Sequence, residues 1–370
     1  MILLDTLLYI FIVIVVIQGL FYLVVFSKLP LLKPKVTKAV KREVSVIICA
    51  KNEAEYLKAH LPFFVNQDYP TFEIIMVNDG STDSSLDIME IYSDKYNNIR
   101  VVNVEQNEAF WGNKKYALTL GIKAAKYDYL LLSDADCKPL SRYWIKQMSS
   151  YFDEKKSIVL GYGAYEKVKN SFLNKLIRFE TLLTAVQYFS YALMGHPYMG
   201  VGRNLAYKKD EFFNNNGFVD HMDILSGDDD LFINKIGNAE NVTLNISPYS
   251  FTKSQPETTY KNWINQKRRH ISTSFKYQFK HKMMLGVFYS SQLLFWLLSI
   301  LLLIKEYEVT LVVTLFAFIV IVKYLVLGFS AKKFREKDLI LLIPILELFL
   351  ICFQLSIFII NPFSKQSRWK

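Results

Sequence analysis

The chain has 370 residues, enough for one large domain or two smaller ones, and its hydrophobic content of 52% is high for a soluble protein. The formal net charge of +10 would suit a nucleic-acid-binding protein, but the basic residues cluster beside long apolar segments. Anionic lipid attracts such clusters. The composition therefore predicts a membrane protein that does not bind nucleic acid.

Four apolar segments reach the roughly 20 residues that a helix needs to cross a bilayer. They are 1–26, Met283–Ile304, Val309–Leu327 and Leu339–Ile360. The first is too long for a signal peptide and lacks a basic leader and a small-residue cleavage site, so residues 1–27 are predicted to remain as an anchor. The other three predict C-terminal transmembrane helices over residues 283–361, although Lys323 and Glu347 interrupt two of them.

Basic clusters follow the first span, precede the second and separate the third from the fourth. The positive-inside rule then places residues 28–282 and 331–338 in the cytoplasm, at the inner membrane if the protein is bacterial. Four spans leave the basic tail, Lys365 to Lys370, on the outside, unless the last segment, which contains Pro344 and Glu347, is re-entrant. We favour four spans.

From Glu43 onward, β-branched apolar runs alternate with segments of helical spacing. The predicted strands are Val44–Cys49, Phe72–Val77, Arg100–Val104 and Tyr129–Leu132, and the predicted helices are 54–66, a segment ending near 95, and 113–126. Such alternation predicts an α/β fold with a parallel sheet, whose ligands bind at the carboxyl ends of the strands. Polar clusters fall at three of those ends: 51–53, 78–80 and 133–136.

Asp134 and Asp136 follow the fourth predicted strand, and two carboxylates at this spacing suit a hard divalent cation that also binds phosphate oxygens. Asp79 is a further acid at a strand end, able to accept hydrogen bonds from a base or a ribose. Its neighbour Ser81 or Thr82 is predicted to cap the next helix.

Several ordered motifs resemble those of the family 2 glycosyltransferases, which are inverting enzymes with the GT-A fold. They are Ser45–Glu53, Val77–Asp83, Asn113–Ala117, Leu132–Asp136, Gly202–Ala206, Gly227–Leu231 and Gln266–His270. The resemblance implies a GT-A domain over residues 43–275.

The resemblance also implies roles for individual residues. It assigns Ala50, Asn52, Glu53 and Asp79 to the nucleotide, Lys114 or Lys115 to the base or diphosphate, Asp136 to the metal with the diphosphate, Asp134 to the ribose or donor sugar, and Arg203 and Asn204 to the donor and acceptor pocket. The metal would be Mg²⁺ or Mn²⁺. His221, near this region, is the better histidine candidate for a further metal ligand.

The general base is expected among Asp228, Asp229 and Asp230. Counting back from Leu231 gives Asp228, with Gly227 in place of the family's usual first acid. Reading the first two aspartates as the acidic pair gives Asp229 instead. The spacing leaves both open, and we favour Asp228.

Residues 266–270 resemble the family's Gln-x-x-Arg-Trp signature, with His270 in place of tryptophan. Gln266, Arg268 and Arg269 are therefore candidates for substrate binding, since a guanidinium can bind diphosphate oxygens bidentately. A second interpretation makes 256–282 an interfacial amphipathic segment, basic and aromatic, lying in the headgroup layer.

These observations predict a membrane-bound transferase that moves a sugar from a nucleoside-diphosphate sugar, a UDP-sugar by preference, to a lipid or a membrane-proximal glycan. Two alternatives stay open: a processive polysaccharide synthase, which the loss of the stacking tryptophan disfavours, and a catalytically inactive membrane scaffold, which the retained acids disfavour.

Overall fold

The computed structural model describes residues 2–34, 41–104, 114–224 and 226–360. The chain divides into two compact units. A helical unit comprises Met1–Leu32, Lys169–Met194 and Gln278–Lys365, and an α/β unit comprises Lys33–Val168 and Gly195–Tyr277.

The described helices and strands have the following bounds. The helices are α1 (Ile2–Leu20, continued by a π-helical turn, Phe21–Phe26), α2 (Lys28–Leu31), α3 (Ala54–Val65), α4 (Ser85–Lys95), α5 (Lys114–Ala124), α6 (Trp144–Ser149), α7 (Phe172–Leu193), α8 (Lys209–Asn214), α9 (Asp230–Ile236), α10 (Tyr260–Ser274), α11 (Phe279–Ile304), α12 (Val309–Lys333) and α13 (Ile343–Ile360). The strands are β1 (Val44–Ala50), β2 (Phe72–Asn78), β3 (Ile99–Asn103), β4 (Tyr129–Asp134), β5 (Cys137–Pro139), β6 (Ile158–Leu160), β7 (Gly163–Tyr165), β8 (Leu205–Lys208), β9 (Val242–Leu244) and β10 (Thr252–Ser254).

The α/β unit is built on a seven-stranded sheet in the order β3-β2-β1-β4-β8-β6-β9. Strands β1 to β4 are parallel, as the alternating pattern predicts, and β8 runs antiparallel to β4 and β6. The register pairs Ala50 with Asn78 and Cys49 with Asp134. The strand-end residues selected from the sequence are therefore at one edge of the sheet. A smaller sheet, β5-β10-β7, follows directly from the end of β4.

Helix α5 packs closely on this sheet because residue 121 is glycine. A Cβ atom there would lie 2.7 Å from Val77 Cγ2 and 2.9 Å from Ile47 Cγ2, closer than side chains tolerate. The close approach fixes the N-terminal end of α5, where Lys114 and Lys115 lie, relative to the strands.

The helical unit contains four helices long and apolar enough to cross a membrane, found among the described residues. They are Ile2–Leu31, Phe279–Ile304, Val309–Lys333 and Lys337–Ile360, which agree with the four predicted spans. Helices α1, α11 and α12 pack together through a core that includes Phe11, Phe295 and Ile319. These features are those of a membrane protein.

The two charges that interrupt the apolar segments are paired inside this unit. Lys323 Nζ lies 2.8 Å from Glu347 Oε1, and both side chains are almost fully buried. Gln292 donates a second hydrogen bond to the same carboxylate oxygen, and the ammonium lies 4.7 Å from the centre of the Phe295 ring. Charged side chains are costly among apolar helices unless they find such partners.

Helix α7 belongs to the helical unit, although the sequence placed its residues inside the predicted range 43–275. It packs on α2, α12 and α13, and the buried Arg178 guanidinium forms ion pairs with Glu336 and Asp338, between α12 and α13. The α/β unit is therefore interrupted in sequence by a helix of the other unit.

Candidate active site

Hydrogen bonds join the loop after β1 to the loop after β2. Asn52 has a left-handed backbone (φ 55°); its N–H donates to Ser81 Oγ at 3.0 Å, and its Oδ1 accepts from Thr82 N–H at 2.8 Å. Ser81 and Thr82 thus bind the neighbouring loop. The prediction that one of them caps α4 is wrong, because Ser84 occupies the cap position.

The amides at the start of α3 are also satisfied, by Asp83 of the second loop and by Ser85, the first residue of α4. Glu53 N–H donates to Ser85 Oγ at 2.9 Å, and Ala54 N–H donates to Asp83 Oδ2 at 3.1 Å. The carbonyl of Ala50 accepts from Asp79 N–H at 2.9 Å. The residues predicted to bind nucleotide therefore form one continuous hydrogen-bonded edge, and Asp83, which the sequence analysis did not select, holds it together.

Asp79 has a carboxylate oxygen suited to a ligand. The side chain is 13% exposed, and its nearest cation, Lys51 Nζ, is 3.9 Å away. Among the described residues, Oδ2 is buried without a hydrogen-bond partner. Burial raises the pKa of Asp79, and the charge of Lys51 opposes that shift. An unpaired buried acceptor is costly, so a ligand that donates to it binds favourably.

Asp134 and Asp136 lie at the start of the smaller sheet with Cys137. Ligand atoms of these three residues all lie within 4.8 Å of one another, close enough to bind one metal ion together. Burial and the charge of Asp134 raise the pKa of Asp136, and Cys137 Sγ donates to its Oδ1 at 3.3 Å. Two carboxylates held together in this way fit a divalent cation, which would offset their mutual repulsion.

Among the described residues, the group that could bind a metal ion is Asp134, Asp136 and Cys137, and His221 is not part of it. Its buried ring is 5.9 Å from the Phe218 ring, and burial together with the charge of Lys115 lowers the pKa of His221 to about 4. The geometry gives no support to His221 as a ligand of the same cation, and that role stays a prediction.

Lys114 connects the acid pair to the acidic triplet, residues 228–230. Its Nζ lies 2.7 Å from Asp134 Oδ1 and 2.9 Å from Asp228 Oδ2. Burial alone would lower the pKa of Lys114, but the two carboxylates hold it well above its usual value. The two carboxylates thus favour the charged form of Lys114, which lies between two groups predicted to serve the donor and the acceptor.

Lys115 faces a different part of the chain. Its buried Nζ donates to the carbonyl of His221 at 2.6 Å and to that of Ile224 at 2.8 Å. Burial lowers the pKa of Lys115 to about 8 against the opposing charge of Asp228. Of the two lysines proposed for the diphosphate, Lys114 is the one placed between the acids, whereas Lys115 anchors the chain that precedes the triplet.

The turn Gly202–Asn204 supports Arg203 beside the acid pair. Arg203 donates to Ser254 Oγ at 3.0 Å, and its guanidinium carbon is 4.2 Å from the centre of the Tyr165 ring. Asn204 is fully buried and donates to the carbonyls of Tyr162 and Ser250, each at 2.8 Å. The Asn204 side chain thus holds the turn that carries Arg203, a role that the sequence analysis did not give it.

The surroundings of Asp228 and Asp229 shift their pKa values in opposite directions. Although burial acts to raise it, the pKa of Asp228 is lowered by Lys114. Burial and the charges of its two neighbours raise the pKa of Asp229 to about 8. Asp229 accepts from Gly202 N–H at 2.6 Å and caps α9. Gly227 precedes them with φ 98°, a conformation that explains glycine where the family has an acid.

Asp230 is bonded to the opposite side, toward the end of α10. Its Oδ2 accepts from Tyr277 Oη at 2.7 Å and from Thr273 Oγ1, and its Oδ1 accepts from Leu231 N–H. The three adjacent aspartates therefore contact three different parts of the unit.

Helix α10 carries Gln266, Arg268 and Arg269, all partly buried. Burial lowers the pKa of Arg269, while the carboxylates of Asp228, Glu257 and Asp134 oppose that shift. Gln266 Oε1 is buried with no hydrogen-bond partner among the described residues. This helix therefore belongs to the same electrostatic site as the acid pair and the triplet.

The mainly parallel α/β sheet with an acid pair at the end of β4 agrees with the GT-A fold. The chain resembles the mannosyltransferase PcManGT of Pyrobaculum calidifontis, solved with GDP-Man and Mn²⁺, with a TM-score of 0.56 at 15% identity over 91% of this chain and 98% of that one. This likeness confirms the expected GT-A fold.

Residues 45–212 match Glycosyl transferase family 2, the family that the motifs resemble. A Bacillus subtilis protein described as "Probable glycosyltransferase YdaM" is 28% identical over 242 residues, 61% of this chain and 54% of that protein. A poly-β-1,6-N-acetyl-D-glucosamine synthase of Staphylococcus epidermidis is 37% identical over 94 residues, 25% of this chain and 21% of the synthase. The chain spans about half of the first relative and about a fifth of the second.

Proposed function

We propose that this protein transfers a sugar, with inversion, from a nucleoside-diphosphate sugar to a lipid or a membrane-proximal glycan, using Mg²⁺ or Mn²⁺ on the cytoplasmic face of its membrane. A UDP-sugar is the preferred donor. The observation that carries the proposal is the convergence of Asp79, the Asp134–Asp136 pair and the acidic triplet at one edge of the sheet, with Lys114 bonded to both acidic groups.

Donor binding would use the edge formed by the first two loops. Asp79 would accept a hydrogen bond from the base through its buried Oδ2, and the Asn52 loop would line the ribose side. Asp136, with Asp134 and Cys137, would hold the cation, which when bound supplies charge neutralisation for the diphosphate. Lys114, Arg203 and Arg269 would add positive charge beside the leaving group.

In the transfer step, the acceptor oxygen attacks the anomeric carbon from the face opposite the diphosphate. The bond to the diphosphate oxygen breaks, its electrons leave with the diphosphate, and the hydroxyl proton passes to an aspartate carboxylate. Asp229, with a pKa of about 8, is better matched to neutral pH than Asp228, which is paired with Lys114. Both aspartates stay candidates, and the structure shifts our preference toward Asp229.

The acceptor assignment is supported by the four membrane-spanning candidates, which tether the catalytic unit on both sides of its sequence. His270 replaces the tryptophan on which a growing polysaccharide would stack. We therefore propose one sugar transferred per encounter, to an alcohol at the membrane.

A processive polysaccharide synthase is the second candidate, favoured by the similarity to the staphylococcal synthase over 94 residues. The decisive experiment incubates the purified protein and its native lipids with labelled sugar nucleotides and Mg²⁺ or Mn²⁺. A single-sugar product that partitions with lipid is expected, from both the wild type and His270→Trp. A water-soluble ladder from the wild type would instead establish the synthase.

The inactive-scaffold alternative and the orientation are tested separately. Metal-dependent binding of a sugar nucleotide, followed by turnover, excludes a scaffold. A cysteine introduced at Lys332, in the basic last turn of α12, should react only with reagent on the cytoplasmic side. Labelling from outside would overturn the orientation and, with it, access to cytoplasmic donors.

A further inference from the structure

The last aspartate of the triplet makes a buried contact that the proposed reaction does not use. Asp230 is 7% exposed, and a single carboxylate oxygen accepts from Tyr277 Oη at 2.7 Å and from Thr273 Oγ1. Thr273 and Tyr277 are themselves buried, and the Tyr277 ring lies 5.9 Å from that of Tyr198. A buried carboxylate needs such donors, because an unsatisfied one is strongly destabilising.

These hydroxyls lie at the end of α10 and just beyond it, on a defined face. Residues three or four apart share a helix face, so Gln266, Arg269 and Thr273 form one stripe. Trp263, one turn before Gln266, is fully buried, and Thr273 bonds Asp230 of the same unit, so this side of α10 is not the solvent-facing one. Anchoring Thr273 therefore fixes the rotation of the helix about its own axis.

We propose that Asp230, Thr273 and Tyr277 form a clamp that positions Gln266 and Arg269 toward the diphosphate of the donor. The inference rests on the proposed function for the identity of the donor. The clamp itself consists of hydrogen bonds inside the α/β unit and does not depend on which donor is bound. The three residues are positioning residues, since they act through Arg269 and Gln266.

The clamp also explains why three acids stand in succession. Asp228 is bonded to Lys114, Asp229 to the amide of Gly202, and Asp230 to α10. Because the three are consecutive in the chain, the hydrogen bonds between Asp230 and α10 connect the helix that carries Arg269 to a residue directly beside the candidate bases. Displacement of α10 would therefore change donor binding while leaving Asp228 and Asp229 chemically intact.

The test removes one hydroxyl at a time. Thr273→Val and Tyr277→Phe should each raise the KM for the sugar nucleotide about tenfold, the effect of losing one hydrogen bond to a charged group, with a smaller change in kcat. Thr273→Ser keeps the hydroxyl and should restore the wild-type KM. Tyr260→Phe, at an exposed tyrosine on the same helix, is the matched control and should change nothing.

A double-mutant cycle separates positioning from a general loss of structure. In an Arg269→Ala background, Thr273→Val should raise the KM much less than in the wild type, because only the part of its effect that passes through Gln266 remains. Equal, additive increases in both backgrounds would overturn the proposal. So would an unchanged KM in both hydroxyl variants.

Hydrogen exchange gives a readout independent of the reaction. Amides 260–274 should exchange faster in Thr273→Val than in Thr273→Ser, whereas amides of β1 and β2 should be unchanged. Unchanged exchange in α10 would refute the clamp. If exchange rises as expected but no sugar nucleotide is bound or turned over, the clamp stands and the proposed function is the part that fails.

Discussion

Substitution of Asp79 should affect nucleotide affinity and protein stability in opposite directions. Its Oδ2 is buried without a partner among the described residues, and Lys51 Nζ is 3.9 Å away, beyond hydrogen-bonding distance. A hydrogen bond from the base to this carboxylate would contribute about 1.5–3 kcal/mol. Asp79→Ala should therefore weaken UDP binding by roughly 10- to 150-fold, and Asp79→Asn, which keeps an acceptor, by roughly fivefold.

In the unliganded protein, the substitution Asp79→Asn should increase stability rather than reduce it. Asp79→Asn removes a buried charge that lacks a close partner, which should raise the free energy of unfolding by about 1 kcal/mol. Because burial raises the pKa of Asp79, its destabilising effect exists above that pKa and vanishes once the group is protonated in both states. The stability difference between Asp79→Asn and the wild type should therefore shrink as the pH is lowered.

Asp68 supplies the control, since its carboxylate is also 3.9 Å from a cation, Arg142, but is 59% exposed. Asp68→Asn should change neither the affinity for UDP nor the free energy of unfolding. Affinity is measured by calorimetry with UDP and Mn²⁺ in detergent, and stability by denaturant unfolding without ligand. Loss of stability in Asp79→Asn with unchanged affinity would refute the reasoning, because it would show that Asp79 serves the fold.

Three further predictions follow from the same contacts. Asp136→Ala should abolish turnover and metal-dependent nucleotide binding with an unchanged circular dichroism spectrum; full activity would reject the metal assignment. If Asp229 is the base, kcat/KM should rise with pH and level off above about 8, because a base with a pKa of about 8 must first lose its proton. A profile that is flat over the same pH range would favour Asp228, whose pKa is lowered. Lys323→Ala should lower the free energy of unfolding in detergent by about 3–5 kcal/mol, because it leaves Glu347 buried without its cation. Replacing both residues, Lys323 by Met and Glu347 by Leu, should recover most of that loss. Equal losses in the single and the double variant would contradict the pairing.

The parallel part of the sheet, β1 to β4, could be predicted because each strand is a short apolar run in the sequence with polar residues directly after it. Short β-branched and leucine-rich runs end in polar residues, and parallel strands bring those ends to one edge. The register that pairs Cys49 with Asp134 and Ala50 with Asn78 then fixes the site edge. The helix spacing likewise predicted α3, α4 and α5 to within a few residues.

The sequence could not assign α7 to a unit. Its apolar and aromatic spacing favours a core helix, with a helix at the membrane interface as the alternative. What decides is the pairing of Arg178 with Glu336 and Asp338, about 160 residues later in the chain. No local pattern contains such a contact.

Contacts with residues distant in the sequence also distinguish the roles of the three aspartates, which their spacing alone does not. Lys114 pairs with Asp228, Gly202 N–H bonds Asp229, and two hydroxyls from beyond residue 270 bond Asp230. The cap of α3 was missed for the same reason, because Asp83 reaches it from the neighbouring loop. A signal was nevertheless present, since Asp83 is part of the Val77–Asp83 motif.

The interrupted order of the two units has a consequence for synthesis at the ribosome. Helix α7 emerges before the second part of the α/β unit, and its partners Glu336 and Asp338 emerge only when translation is nearly finished. The Arg178 guanidinium must therefore stay hydrated, or borrow another partner, while the intervening chain is made. Completion of the helical unit is therefore a late event that depends on contacts between residues far apart in the chain.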